Sequence, residues 1–307
     1  MSMPIGFIGT GSMGAPIAGQ FLARGHPLLV YDINQAAVQP LVERGAETAS
    51  SPRDLADRAE TVFICLPTLE SIREVTLGSE GIHRGSRIKT CVNCSTAGPG
   101  FVREIAQGLA PARIAVMDCP ITGGAAAARN ASLSITVSGA RAQFDAIKPL
   151  LDHVATHVFY VGPEPGQAQI MKLLNNMLSF AAFVASCEAF ALGVKAGLDP
   201  DAMVAVINTG TGRNSATTDK FPNNILPRTF DYGAKLAISF KDISLCLDEA
   251  ERRGVPMWLA PVVKQVIGFA IGQDGDAVDV TTLVKHYERR CGIEIAGAAA
   301  RGRSPQR

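Results

Sequence analysis

The chain has no surplus of charge. Its 307 residues carry 29 Lys and Arg against 28 Asp and Glu, a formal net charge of +1. A dedicated nucleic-acid binder needs a basic excess for its phosphate contacts, so that class is excluded. Long charge blocks and internal repeats are missing too. No stretch reaches about 18 uninterrupted apolar residues, which argues against a transmembrane helix. Met1-Ser2-Met3-Pro4 runs straight into an apolar strand with no positive n-region or cleavage site, so no secretory signal is expected. The five His lack metal-ligand spacing, and no metal is expected. The seven cysteines are odd in number and scattered, mostly in apolar runs (Cys65, Cys119, Cys187, Cys246). They suit free thiols in a reducing cytoplasm better than a disulfide framework. Cys91 and Cys94 form a CxxC, but no second pair accompanies it, so it reads as the end of a buried strand.

What is present is a globular chain, 47% hydrophobic and long enough for two domains. Short apolar runs in its first half read as buried parallel strands: Ile5–Ile8, Leu28–Tyr31, Thr61–Leu66, Lys89–Asn93, Ile114–Met117, Ser134–Val137 and His157–Val161. Between several of them lie helical patterns at Met13–Arg24, Gln35–Arg44, Pro52–Arg58, Leu69–Leu77, Gly100–Leu109 and Arg141–Leu151. This alternation predicts an α/β doubly wound sheet over residues 1–163. Gly162 to Gly166 is a turn-rich break. Beyond it, residues 164–296 read as all-helical. One long helix from Gln167 to about Lys195 joins the two domains, and further helices follow at Asp199–Asn208, Tyr232–Arg253, Trp258–Gln273 and Asp279–Arg290. Residues 297–307 read as a disordered tail.

Gly9, Gly11 and Gly14 set G-x-G-x-x-G directly after the first strand and at the mouth of a helix, the context of a Rossmann dinucleotide site. Gly9 permits the tight turn, Gly11 lets a pyrophosphate approach, and Gly14 lets helix and strand pack. Backbone N–H groups at Ser12, Met13 and Gly14 favour the anion. Asp32 ends the second strand about 20 residues on, where a carboxylate accepts from the adenosine ribose and repels a 2′-phosphate. No Arg follows it (Ile33, Asn34, Gln35), so NAD is expected rather than NADP.

Lys172 and Asn176 share one face of the long helix, with Asn175 beside them, inside an apolar stretch. A partly desolvated lysine there suits acid–base work, with Asn176 holding the amine. By spacing alone the same trio reads equally well as a solvated stripe with a snorkelling lysine. Thr122, Gly123 and Gly124 follow another apolar strand and could offer donors to a carboxylate, or form a flexible loop. Lys241-Asp242 reads, on its own, as a surface ion pair.

These four stations together resemble the β-hydroxyacid dehydrogenase family of the 6-phosphogluconate dehydrogenase superfamily, the group of 3-hydroxyisobutyrate dehydrogenase and tartronate semialdehyde reductase. The resemblance runs from Gly6 to about Cys291. It is carried by Gly6-Phe7-Ile8-Gly9-x-Gly11-x-Met13-Gly14-Ala15-Pro16, by Asp118 to Gly124, by Gly166 to Asn176 with Ala168 for a glycine, and by Lys241-Asp242-x-x-Leu245. It implies that Lys172 is the catalytic acid/base, that Asn176 positions it and the substrate, and that Thr122, Gly123 and Gly124 hold the substrate carboxylate. It also implies that Leu66, Pro67, Ser71 and Thr96 line the cofactor site, with Lys241 closing over it, and that the helical domain pairs subunits into a homodimer or homotetramer.

Thr122 stands where the family usually has serine, and Ala127 and Ala131 where it usually has glycine. Arg213, in the polar loop Gly210–Ser215, reads as a solvated loop residue rather than a reader of a second acidic group. The expectation is NAD-dependent oxidation of a small, 3-hydroxyisobutyrate-like β-hydroxyacid. The alternatives are an NADPH-dependent reductase of a small aldehyde acid (glyoxylate, succinic or tartronate semialdehyde), an imine reductase, and a non-catalytic scaffold. The last two would be expected to have lost Lys172.

Overall fold

A computed structural model describes residues 3–301. The chain forms two compact units that divide between Lys172 and Leu173. The division falls inside the long helix rather than at the Gly162–Gly166 turn, because the first turn of that helix is hydrogen-bonded to the sheet.

The first unit is built on nine strands: β1 (Ile5–Ile8), β2 (Leu28–Tyr31), β3 (Glu47–Thr48), β4 (Thr61–Ile64), β5 (Thr90–Asn93), β6 (Ala115–Asp118), β7 (Ile121–Thr122), β8 (Leu133–Ser138) and β9 (Ala155–Gly162). The order is β3-β2-β1-β4-β5-β6-β8-β7, with β9 also on β8. Strands β1 to β6 are parallel. Their last residues pair in one row, Tyr31 with Ile8, Ile8 with Ile64, Ile64 with Asn93 and Asn93 with Asp118. That register brings the loops after five strands to one edge, on either side of the reversal between β1 and β4, where α/β sheets bind ligands. The strands alternate between two cores. Phe7, Val30, Phe63, Val92 and Met117 face one, and Ile8, Leu29, Ile64, Cys91 and Val116 the other. Helices α1 (Gly14–Ala23), α2 (Gln35–Val42), α3 (Pro52–Arg58), α4 (Leu69–Leu77), α5 (Pro99–Leu109), α6 (Gly124–Arg129) and α7 (Arg141–Leu151) link them.

The last strands depart from the buried parallel expectation. β8 runs antiparallel to β6, and β9 is parallel to β8. Phe159 and Val161 of β9 are exposed while Val158 and Tyr160 pack inward, the alternation of an edge strand with one wet face. The Ala run 125–128 is helical, in α6.

The second unit is helical: the remainder of α8 (Gln167–Lys195), then α9 (Pro200–Thr209), a π-type helix (Ala216–Ile225), α10 (Leu236–Arg252), α11 (Ala260–Asp274), α12 (Val284–Cys291) and α13 (Ala298–Arg301). Asp199 caps α9 by accepting from Ala202 N at 3.0 Å. α8 is apolar and long enough to cross a membrane. Its Phe183, Val184, Cys187, Phe190 and Ala191 are instead buried in the core of this unit, against Phe221, Ile243, Val263 and Ile267. Gly297 to Arg301, expected as part of an unstructured tail, are tied down. Gly297 N donates to Leu226 O, Ala298 N donates to Asp201, and Arg301 pairs with Asp199. The rest of that expected tail, 302–307, lies outside the described residues.

Candidate active site

The glycine turn is shaped by close approach. A Cβ at Gly14 would sit 1.8 Å from the Gly9 carbonyl oxygen, and one at Gly9 (φ +91°) 2.3 Å from the Cys65 carbonyl. Only hydrogen side chains let the turn fold onto the end of β4 and into α1. A Cβ at Gly11 would meet nothing within 4 Å, so the space before the helix N-terminus, with Ser12, Met13 and Gly14, is open. That cradle fits a dinucleotide pyrophosphate.

Asp32, after β2, reaches back to this turn. Its Oδ2 accepts from Thr10 N at 2.7 Å and Thr10 Oγ1 at 3.2 Å, and its Oδ1 accepts from Asn34 N at 2.9 Å. The carboxylate therefore fixes the turn and keeps further lone pairs for a ribose hydroxyl. Leu66, just past β4, donates its N–H to Ser95 Oγ at 2.9 Å. Its side chain lies beside Gly9. Pro67 is exposed, and Ser71 folds back on Thr68 in the first turn of α4. Thr96 follows β5 and is half-buried. These positions share the strand-end edge with the glycine turn.

Thr122 ends β7, and Gly123 (φ +125°) and Gly124 (φ +69°) turn the chain into α6. Lys172 Nζ donates to Thr122 Oγ1 at 3.1 Å. An amine and a hydroxyl side by side, next to two exposed glycines, can bind a carboxylate and move a proton at a neighbouring hydroxyl.

Under this pair lies a buried polar network that sequence reading missed. Gln169 is fully buried. Its Nε2 donates to Asp118 Oδ1 at 2.6 Å and Ser95 O at 3.0 Å, and its Oε1 accepts from Ala97 N at 2.9 Å and Gly98 N at 3.0 Å. Gln169 N donates to Asp118 Oδ2 at 3.1 Å, and Ala168 N to Ser138 Oγ at 3.0 Å. Burial pushes the Asp118 carboxyl up to about 6, against the pull of its hydrogen bonds. The one available signal in the sequence is the second of two glutamines in the first turn of the helix, three residues before Lys172.

In the second unit, Asn176 Nδ2 donates to Asp242 Oδ2 at 2.7 Å, and Asp242 Oδ1 lies 3.3 Å from Lys241 Nζ. Asp242 is buried, so Lys241-Asp242 is more than a surface ion pair. Asn175 is exposed and bonds to Asn176 Oδ1. Arg213 is exposed, while Asn214 uses its Oδ1 to cap the π-type helix through Ala216 N at 2.8 Å. Cys91 and Cys94 are buried on and just past β5. Burial pushes the Cys91 thiol up to about 12 and Cys94 well up, so both stay unreactive. Among the described residues no group of three His, Cys, Asp or Glu could hold a metal.

Residues 4–162 match the family described as the NAD binding domain of 6-phosphogluconate dehydrogenase. Residues 166–287 match one described as NAD-binding of NADP-dependent 3-hydroxyisobutyrate dehydrogenase. The mitochondrial 3-hydroxyisobutyrate dehydrogenase of Rattus norvegicus is 33% identical over 273 residues, covering 86% of this chain and 80% of that one. The 2-(hydroxymethyl)glutarate dehydrogenase of Eubacterium barkeri is 29% identical over 299 residues, covering 96% and 98%. The crystal structure of a 3-hydroxyisobutyrate dehydrogenase from Salmonella typhimurium superposes with a TM-score of 0.82 at 26% identity, over 93% of this chain and all of that one.

Proposed function

The chain belongs to the β-hydroxyacid dehydrogenase family, as an NAD(P)-dependent oxidoreductase acting on the hydroxyl group of hydroxyacids, and we propose that it oxidises a small, 3-hydroxyisobutyrate-like β-hydroxyacid with NAD. The observation that carries this reading is the Lys172 Nζ···Thr122 Oγ1 contact of 3.1 Å, in the same unit as the glycine turn. A nicotinamide coenzyme held at the glycine turn would supply the hydride acceptor for the hydroxyl carbon. Lys172 takes the hydroxyl proton as general base. Thr122 Oγ1 and the Gly123 and Gly124 N–H groups orient the carboxylate. Asn176, one helical turn beyond Lys172, aligns substrate and amine, anchored by Asp242. Gly9 to Gly14 would take the pyrophosphate, with Leu66, Pro67, Ser71 and Thr96 along the same strand ends.

Asp32 supports NAD. Its carboxylate would repel a 2′-phosphate, and the residue after it is the uncharged, exposed Ile33. The exposed Leu178 and Leu192 of α8 support a homodimer or homotetramer, and seven free thiols support a reducing cytoplasm.

The test screens β-hydroxyacids with NAD and NADP in parallel, following reduced-nicotinamide absorbance. Turnover of one acid with NAD is expected. Turnover with NADP alone overturns the coenzyme assignment and favours the aldehyde-acid reductase. Turnover of imines but no hydroxyacid overturns the reaction.

A further inference from the structure

Resting on the reaction proposed above, we propose that Gln169, clamped by Asp118, is a positioning residue that sets Lys172 Nζ against Thr122. A glutamine amide has two N–H donors and an oxygen with two lone pairs, and all four are used here. The donors go to Asp118, at the end of β6, and Ser95, past β5. The oxygen takes Ala97 N and Gly98 N, also past β5. Gln169 thus joins the first turn of α8 to two strand ends and has no rotation left that keeps its bonds.

Each reacting position is a short, stiff step from this joint. Lys172 is three residues beyond Gln169, about one helical turn away on nearly the same face. Thr122 is four residues beyond Asp118. Thr96 lies between Ser95 and Ala97, both bonded to Gln169. The 3.1 Å contact between Lys172 and Thr122 therefore closes a ring whose other side is the Asp118–Gln169 hydrogen bond of 2.6 Å.

Capping α8 does not account for the side chain. Ala168 N and Gln169 N already have acceptors in Ser138 Oγ and Asp118 Oδ2. The amide of Gln169 spans instead to the loop that carries Thr96. Loosening that span would let the start of α8, and with it the amine of Lys172, shift relative to Thr122 and the acid held there. Displacements of about 1 Å cost on the order of 100-fold in rate.

The experiment compares Gln169→Met, which keeps the volume without the hydrogen bonds, and Asp118→Asn with Ser138→Ala and Lys172→Ala in the full chain. Steady-state kinetics use the best acid from the screen and its deuterated form, and NADH binding is followed by fluorescence. In Gln169→Met and Asp118→Asn, kcat should fall about 30- to 100-fold while KM and NADH affinity stay within about threefold. The deuterium isotope effect on kcat should rise, because hydride transfer becomes slower. Ser138→Ala removes the Ala168 N acceptor and the long 3.5 Å hydrogen bond from Ser138 Oγ to Asp118 Oδ2 but leaves all four bonds of the Gln169 amide, and should keep kcat within about threefold.

Unchanged kcat in a folded Gln169→Met protein overturns the proposal, as does an equal loss in Ser138→Ala. So does loss of NADH binding or folding in both variants, since the pair would then hold the fold and not the amine. If Lys172→Ala loses turnover while Gln169→Met keeps it, this proposal fails and the function stands. If the wild-type protein oxidises no hydroxyacid, the function fails and takes this proposal with it.

Discussion

Lys172 Nζ lies 3.1 Å from Thr122 Oγ1, although 50 residues separate them in the chain. The amine sits at the start of α8 and the hydroxyl at the end of β7, so the pair exists only once the sheet is formed. Lys172→Ala should lower kcat by about 100- to 10,000-fold, the range of a lost acid/base group. NADH binding should persist. Stopped-flow absorbance and fluorescence titration separate the two, and near-normal turnover in the variant would remove Lys172 from the chemistry.

Thr122 brings a hydroxyl and a methyl. Thr122→Val keeps the shape and removes the hydroxyl, so KM for the acid should rise about 10-fold. Thr122→Ser keeps the hydroxyl and should stay within about threefold. Equal KM values in the two variants would show that the hydroxyl does not meet the substrate.

Asp32 has two tasks, holding Thr10 and repelling a 2′-phosphate. Asp32→Ala should reduce the NAD-over-NADP ratio of kcat/KM by about 10- to 100-fold, the scale of a hydrogen bond to a charged group. Parallel assays with both coenzymes decide it, and an unchanged ratio would place discrimination elsewhere.

Asp118 gives folding a pH dependence of unusual sign. Its carboxyl rises from an ordinary 3.8 to about 6 on folding, by burial. The folded protein thus holds this proton more tightly than the unfolded chain, and the group's contribution to stability falls as pH climbs through that window. Two units correspond to about 3 kcal/mol. Asp118→Asn cannot ionise, so its stability relative to wild type should improve by about that amount between pH 4 and 7. Urea melts of both proteins across this range measure it, and a constant difference would mean that Asp118 does not titrate there.

Ala131 ends α6 in a left-handed conformation, φ +53°, where side chains are disfavoured. Ala131→Gly should stabilise the protein by about 0.5–1 kcal/mol, read from the urea midpoint. A lower midpoint would show that Ala131 contributes packing that outweighs its strain.

Much of this was legible locally. Helices such as Pro52–Arg58, Leu69–Leu77, Arg141–Leu151 and Gln167–Lys195 occur where their periodicity predicts. The glycine turn and Asp32 were readable because both lie within about 20 residues of each other, inside one βαβ unit. β7 and α6 were not, since a two-residue strand and an alanine run carry no period. Nor was the π-type helix at Ala216–Ile225, whose sequence mixes polar and apolar residues without a 3.6-residue repeat.

By itself the sequence determined the strand–helix alternation, the phosphate-cradling turn and the chemical types available at the strand ends, because each depends on neighbours a few residues apart. Tertiary structure decided that β8 turns antiparallel and that Lys172 meets Thr122. It also decided that Gln169 joins Asp118 across 51 residues. These depend on which strand ends lie side by side. Sheet register sets that, through hydrogen bonds between strands that no local pattern encodes.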